Sequence, residues 1–211
     1  MNHSTAPTPA PARPPRQRKA TRAQLIAAAA DLFAEHGTTN VSIGAICERA
    51  GFTRGAFYSN FKTVDDVFFA LYEQRNAEVQ QRLEALAADA PPPEQARFSL
   101  ESVVATVLRA LPVDPQWVAI RTSFAAQAQH RPEVAAVLRE HAEQLRRHLQ
   151  PLLLHALELT GRRPLASPED FTRAVITAHV GAITQSPLHD DPEAVREAVV
   201  RGIVLGLTTG Q

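Results

Sequence analysis

Residues 50–61 read AGFTRGAFYSNF. Gly51 and Gly55 bracket Phe52, Thr53 and Arg54, and Phe57, Tyr58 and Phe61 then crowd into barely two helical turns. Glycine inside a helix costs about 1 kcal/mol against alanine, so a short aromatic helix carrying Gly55 in its first turn needs a reason for it. Working outward, Thr53 is the cap of that helix. Gly51 closes a preceding segment, which Ser42 opens and which carries Ile43, Ile46 and Ala50. The bend between the two spans little more than Gly51, Phe52 and Thr53.

Upstream, a first helix is expected from Thr21, because Thr21 and Gln24 have capping-box spacing. Leu25, Ala29, Leu32 and Phe33 share one of its faces, and Gly37 stops it. Downstream, Thr63 with Asp66 opens a longer helix running to about Ala88, whose Val64, Val67, Phe68, Leu71 and Tyr72 form one stripe. Pro91, Pro92 and Pro93 break the chain. Further helices are expected over 94–110, 115–129, 132–160, 168–185 and 192–207, three of them started by a cap and a proline at Asp114-Pro115, Ser167-Pro168 and Asp191-Pro192. Pro151 should kink the third of these near Gln150. No segment alternates as a strand would, and the reading is all-α.

The chain carries 22 basic and 22 acidic side chains, but residues 13–62 hold eight basic against three acidic ones. Arg13, Arg16, Arg18, Lys19 and Arg22 come before any acid. Such asymmetry points to polyanion binding by one part of the chain. No apolar run approaches the roughly 18 residues of a membrane span and no apolar leader is visible, so a cytoplasmic protein is expected. The lone Cys47 forms no internal disulfide and is read as packing rather than as a redox sensor.

Three short helices with a tight glycine turn, inside the basic stretch, have a helix-turn-helix layout. Ile43, Ile46, Phe57 and Phe61 would pack on Leu25, Ala29 and Phe33, leaving Thr53, Arg54, Gly55, Ala56, Tyr58, Ser59 and Asn60 on the other side of the third helix. There Gly55 lets the backbone approach a phosphate or base edge. Ser42, Thr53, Tyr58 and Lys62 can donate to phosphates, and Arg54 can fork onto a guanine. A helical hairpin with a glycine C-cap and no nucleic-acid role remains open on layout alone.

Residues 18–72 resemble the N-terminal DNA-binding domain of TetR-family transcriptional regulators: DLFAEHG (31–37), VSIGAICERAGFTRGAFYSNFK (41–62) and TVDDVFFALY (63–72) follow in that family's order and spacing. The resemblance implies helix-start phosphate contacts at Ser42 and Thr53, groove contacts at Arg54, Gly55 and Ala56, and backbone contacts at Tyr58 and Lys62. Asn60 departs from the family's frequent His and Val64 from its frequent second Lys, and the five basic residues of the N-terminal arm, Arg13, Arg16, Arg18, Lys19 and Arg22, are expected to compensate in a neighbouring minor groove. It divides the chain into a tail (1–17), a helix-turn-helix DNA-binding domain (18–64) and a helical-bundle ligand-binding and dimerisation domain (65–211).

For that second domain, Phe98, Trp117, Arg121, Phe124, Gln127 and His179 are nominated for an effector pocket with an apolar lining, hence a hydrophobic ligand. Ala174, Ala178, Gly181, Ala182, Val199, Gly202, Ile203 and Gly206 are nominated for a homodimer interface; ordinary packing within the chain is nearly as consistent. His141, His148 and His155 are spaced by seven, about 10 Å per step, too far to share an ion, so they are read as a surface or interface stripe. No metal or cofactor is expected. The chain lacks a nucleophile motif, a chelating set and a phosphate loop, so it is read as a non-enzyme whose partners are a palindromic duplex operator, a second copy and a small effector, with no membrane. A helical protein-interaction module is the alternative, with an α-helical enzyme behind it.

Overall fold

A computed structural model describes residues 15–88 and 113–210, with 99, 101, 104, 105, 108 and 111 between them. The expected tail before residue 15, most of the expected helix over 94–110, and Phe98 lie outside the described residues. The described helices are α1 (Pro15–His36), α2 (Ile43–Ala50), α3 (Arg54–Tyr58), α4 (Val64–Ala88), α5 (Pro115–Gln127), α6 (Pro132–Leu159), α7 (Pro168–Thr184) and α8 (Pro192–Gly206).

The start and stop signals act as their chemistry requires. Ser42, Thr53, Asp114, Ser167 and Asp191 each accept a hydrogen bond from a main-chain amide three residues on, at 2.9–3.2 Å. Thr63 and Asp66 cap α4 reciprocally: Asp66 N–H donates to Thr63 Oγ1 at 3.2 Å, and Thr63 N–H donates to Asp66 Oδ2 at 2.9 Å. Gly37 and Gly51 close α1 and α2 at φ of 63° and 69°, the left-handed region that glycine enters without penalty.

Two expectations are corrected. α1 begins at Pro15 rather than Thr21, taking in the end of the expected tail. Thr21 caps nothing: its hydroxyl donates to the Gln17 carbonyl one turn back and is buried. The six residues before it include Arg, Gln, Lys and Ala, good helix formers, so its spacing from Gln24 marks no start. The expected helix over 132–160 is α6, which carries Pro151 inside it. Second, two strands occur, β1 (Arg162–Pro164) and β2 (Thr208–Gly210), paired antiparallel with Arg162 opposite Gly210 and Pro164 opposite Thr208. Three residues are too short for an alternation signal. The pair is tied by Arg162, whose guanidinium donates to Thr208 Oγ1 at 2.7 Å and to its carbonyl at 3.0 Å.

Two apolar clusters form the interior. The first collects Leu25, Ala29 and Phe33 of α1, Ile46 and Cys47 of α2, Phe57 and Phe61 at α3, Val67, Phe68 and Tyr72 of α4, and Phe124 of α5. Ile43 packs half-buried against it. Burial pushes the Cys47 thiol up from its ordinary value, against a smaller downward pull from Arg54, so it is poorly suited to be a reactive thiolate. The second cluster holds Leu83 of α4, Leu149, Leu153 and Leu157 of α6, Phe171 and Val175 of α7, and Val200 and Val204 of α8. α4 therefore belongs to both. Within the first cluster Phe68 and Phe124 lie with ring centroids 4.0 Å apart, with Trp117 stacked on Phe68 at 5.7 Å and Phe33 edge-on at 6.3 Å.

Replacing Phe124 by Ala should lower stability by about 3–5 kcal/mol, the usual range for emptying a buried aromatic site, read as a shift of the urea midpoint. A loss under about 1 kcal/mol would mean the ring cluster does not join the two halves.

Candidate functional site

At 50–61 the geometry leaves one side of α3 open. Phe57 is fully buried and Phe61 nearly so, whereas Tyr58 is 59% exposed and Thr53, Arg54, Gly55 and Ser59 are exposed. Phe57 meets Tyr58 edge to face at 5.7 Å and Phe61 at 5.9 Å, so the buried rings brace the helix from behind. Gly55 has no positive φ. A Cβ built on it would meet only Thr53 Oγ1, at an ordinary 3.7 Å. Neither backbone conformation nor packing within the described residues requires glycine there, and what remains is an object approaching from outside.

The other nominated groups divide. Ser42 and Lys62 are exposed, as are Arg18 and Lys19 on α1. Arg18 donates to the Ser59 carbonyl at 2.8 Å, bringing the basic end of α1 onto the end of α3. Ala56 is half-buried. Asn60 turns back into the protein: its Nδ2 donates to the Ala56 carbonyl at 2.8 Å, and its Oδ1 is buried without a hydrogen-bond partner among the described residues. Ser59 Oγ likewise donates to the Gly55 carbonyl at 2.8 Å. Both side chains donate to carbonyls at the end of α3, that of Gly55 also accepting the Ser59 main-chain N–H at 3.1 Å, so Asn60 is corrected from an outward-facing group to a helix-end cap.

One contributor was missed. A Cβ on Gly44 would come within 3.2 Å of Arg54 Nη2, so Gly44 gives the Arg54 guanidinium room across α2. A glycine in the first turn of a two-turn helix was the available signal. Arg22 lies with its guanidinium carbon 4.9 Å from the centre of the Phe61 ring. Arg18, Arg22, Tyr58, Lys62 and Phe69 help line one groove of about 450 Å³ beside α3. Further back, Glu35 and Arg49 join α1 to α2 by two hydrogen bonds of 2.8 Å, and hydrogen bonding to Arg49 holds the Glu35 carboxyl below its ordinary range.

In the second half of the chain, the rings of Trp117 and Phe124 pack on Phe68 of α4. Arg121 reaches the Tyr72 hydroxyl at 3.5 Å, Gln127 ends α5, and His179 is buried on α7. A cleft of about 120 Å³ between α4 and α6 is lined by Glu73, Asn76, Ala77, Gln80, Gln144, Leu145 and His148.

Of the histidines, His141 is buried with Nδ1 3.2 Å from Asn76 Nδ2, so it is no part of a surface stripe. His148 is half-buried and donates to the Gln144 carbonyl at 2.7 Å, while His155 lies 3.9 Å from Glu158. Of the nominated interface residues, Ala182 is buried inside the chain, and Ala178 and Ile203 pack partly on the second cluster. Val199, Gly202 and Gly206 are exposed on α8, and Ala174 and Gly181 are half-exposed on α7. Leu205, not foreseen, is 48% exposed on the same outer side of α8.

Residues 25–71 match the family described as bacterial regulatory proteins, tetR family, and residues 96–206 match the BetI-type transcriptional repressor C-terminal family. The "HTH-type transcriptional regulator AcrR" of Shigella flexneri is 40% identical over 53 residues, 25% of each chain. The "HTH-type transcriptional repressor BepR" of Brucella suis is 25% identical over 175 residues, covering 81% of this chain and 82% of that protein. Among solved structures, a TetR transcription regulator from Haloarcula marismortui superposes with a TM-score of 0.70 at 18% identity, covering 90% of this chain and all of the other. SmeT, the repressor of the Stenotrophomonas maltophilia multidrug efflux pump SmeDEF, does so at 0.63 and 20%, covering 91% and 92%. At such identities the structural likeness speaks for the fold.

Gly55→Ala should leave the free protein's stability within about 1 kcal/mol yet weaken duplex binding. Arg54→Ala should relax base preference by about 1–3 kcal/mol at one position. Fluorescence-anisotropy titrations against a set of duplexes read both, and undiminished affinity for Gly55→Ala would leave the glycine unexplained.

Proposed function

The chain belongs to the TetR family and is a DNA-binding transcriptional regulator, and from that premise we propose that it is a homodimeric repressor which holds a palindromic operator and releases it when a small molecule enters between α4 and α6. The observation that carries the DNA half of this reading is Gly55, exposed at the leading end of α3 with nothing inside the protein to require it. Thr53, Arg54, Gly55 and Ala56 would face the groove. Ser42, Tyr58, Lys62, Arg18 and Lys19 would touch phosphates and fix the register. The family and fold are those of transcription regulators, and the reading assigns the chain no catalytic step. No described helix is long and apolar enough to cross a membrane.

One short recognition helix reads few base pairs. Two related by a two-fold axis read half-sites about 34 Å apart, and the exposed α8 surface of Val199, Gly202, Leu205 and Gly206 supports self-association, since small residues let two helices approach closely. Helix α4 supplies the coupling. Its first turn is capped at Thr63 beside Lys62, and its Glu73, Asn76 and Gln80 wall the cavity. Arg131, in the turn before α6, pairs with Asp65 in that first turn at 2.6 Å. A ligand that favours one setting of α4 over another would shift the spacing of the two recognition helices.

The reading is tested by a salt-titrated gel shift on the promoter beside the protein's own gene, with Gly202→Arg as the partner experiment. The wild-type chain should elute as a dimer and bind with a steep salt dependence. Gly202→Arg should elute as a monomer that keeps its helical circular dichroism and loses operator binding. A dimeric Gly202→Arg protein would move the interface elsewhere, and a wild-type dimer indifferent to duplexes in dilute buffer would end the DNA reading.

A further inference from the structure

We propose that Gly44 is a positioning residue for base reading: it leaves a seat on α2 that holds the Arg54 guanidinium in one orientation, so the side chain at 44 decides how sharply Arg54 discriminates. This rests on the reading of α3 as the element that enters the groove. Gly44 lies in the first turn of the eight-residue α2 and has no positive φ. Backbone conformation therefore does not call for glycine, and most other residues suit a helix better. A Cβ there would lie 3.2 Å from Arg54 Nη2 and 3.6 Å from Ser42 Oγ. Among the described residues nothing else outside its own helix backbone and chain neighbours comes within 4 Å. The Ser42 distance is ordinary contact, so the cap that receives the Ala45 amide would stand. The Arg54 distance is too short, and one of the two groups has to give way. Helix α2 is fixed at both ends, by Ser42 and by the Gly51 turn, whereas the guanidinium ends a long, exposed side chain. Bulk at 44 therefore moves Arg54 and leaves α2 in place.

The neighbouring arginines are held by partners, and Arg54 is not. Arg49 forks onto Glu35, Arg18 donates to the Ser59 carbonyl, and Arg22 lies over the Phe61 ring. Among the described residues Arg54 forms no hydrogen bond and no ion pair, so its donors stay available to a base edge. Its place against α2 rests on packing alone, which is why one side chain can decide it. Cys47, one turn along α2 from Gly44, marks the same place: its thiol, raised by burial, is pulled back by the Arg54 charge.

The two glycines of the site thus make room for different objects, Gly55 for an approaching duplex and Gly44 for the side chain that reads it. A guanidinium that donates to guanine O6 and N7 together must meet the base edge with its fork aligned. A long side chain without a partner samples many rotamers, and a seat on α2 narrows them before the duplex arrives, which lowers the ordering cost of the contact. A methyl at 44 asks the guanidinium to shift slightly; a leucine fills the seat. Filling it removes discrimination at one base pair and leaves the attraction of the phosphates unchanged.

The test takes a reference site that the full wild-type chain selects from a pool of random duplexes, together with its single-base-pair variants. Anisotropy titrations on these compare the wild type with Gly44→Ala, Gly44→Leu, Arg54→Ala and the double variant Gly44→Leu/Arg54→Ala. Arg54→Ala should flatten discrimination at one position by about fivefold or more, the lower end of what a bidentate contact supplies. Gly44→Leu should flatten the same position to a similar degree and Gly44→Ala less, both with an unchanged salt slope. In the Arg54→Ala background Gly44→Leu should change nothing further, because the two residues act as one unit. Helical circular dichroism and a urea midpoint no lower than that of the wild type separate this from a loss of fold; if Gly44→Leu fails that check, Gly44→Ala carries the same cycle. Discrimination kept by the folded Gly44 variant, or an equal loss with and without Arg54, overturns the proposal and leaves the DNA reading standing. A wild-type chain that selects no site from the pool ends the DNA reading and this proposal together.

Discussion

The contact between Phe68 and Phe124, with ring centroids 4.0 Å apart, is the constraint on which both halves of the molecule depend. Phe68 sits on the helix that leaves the DNA-binding head, and Phe124 comes from α5 in the body. Phe33, Phe69, Tyr72 and Trp117 close round the pair. Cores packed at such density transmit displacement rather than absorb it. The head is thus not a bead on a string. It shares one apolar interior with the first helix of the body, and α4, which goes on to the second cluster at Leu83, is a rod common to both.

That rigidity gives the five-residue α3 its use. A helix so short has little stability of its own, and here it is held from behind by Phe57 and Phe61 and at its ends by side chains. Thr53 receives an amide at the start, and Ser59, Asn60 and Arg18 donate to carbonyls at the end. Every group spent on holding the helix is withheld from the outer surface. What remains outward is a small set: Thr53, Arg54, Gly55 and Tyr58, flanked by Ser42 and Lys62.

Much of the head was legible because its signals are local. The caps Ser42, Thr53 and Thr63 and the stops Gly37 and Gly51 each work within four residues of backbone, so spacing alone reveals them. The caps at Asp114, Ser167 and Asp191 were readable for the same reason. Thr21 shows the limit: with Gln24 it has a capping spacing, but favourable helix formers before it carry the helix past. Trp117 and Phe124 show another limit: nothing in the spacing of the sequence says that their rings meet Phe68 of α4.

What the sequence determined by itself was the all-helical class, the head's helix boundaries after Thr21, the glycine-turned recognition element and its family, because these rest on periodicity, caps and motif spacing within short spans of chain. What only the tertiary structure decided was whatever depends on residues far apart in sequence meeting. The fusion of head to body through Phe68 and Phe124 is one case, and the bridge from Asp65 to Arg131 at 2.6 Å is another. The strand pair joining Arg162–Pro164 to Thr208–Gly210, the inward turn of Asn60, and the cleft between α4 and α6 follow the same rule. Hydrogen-bond polarity is set by partners in space, and no spacing along the chain records them.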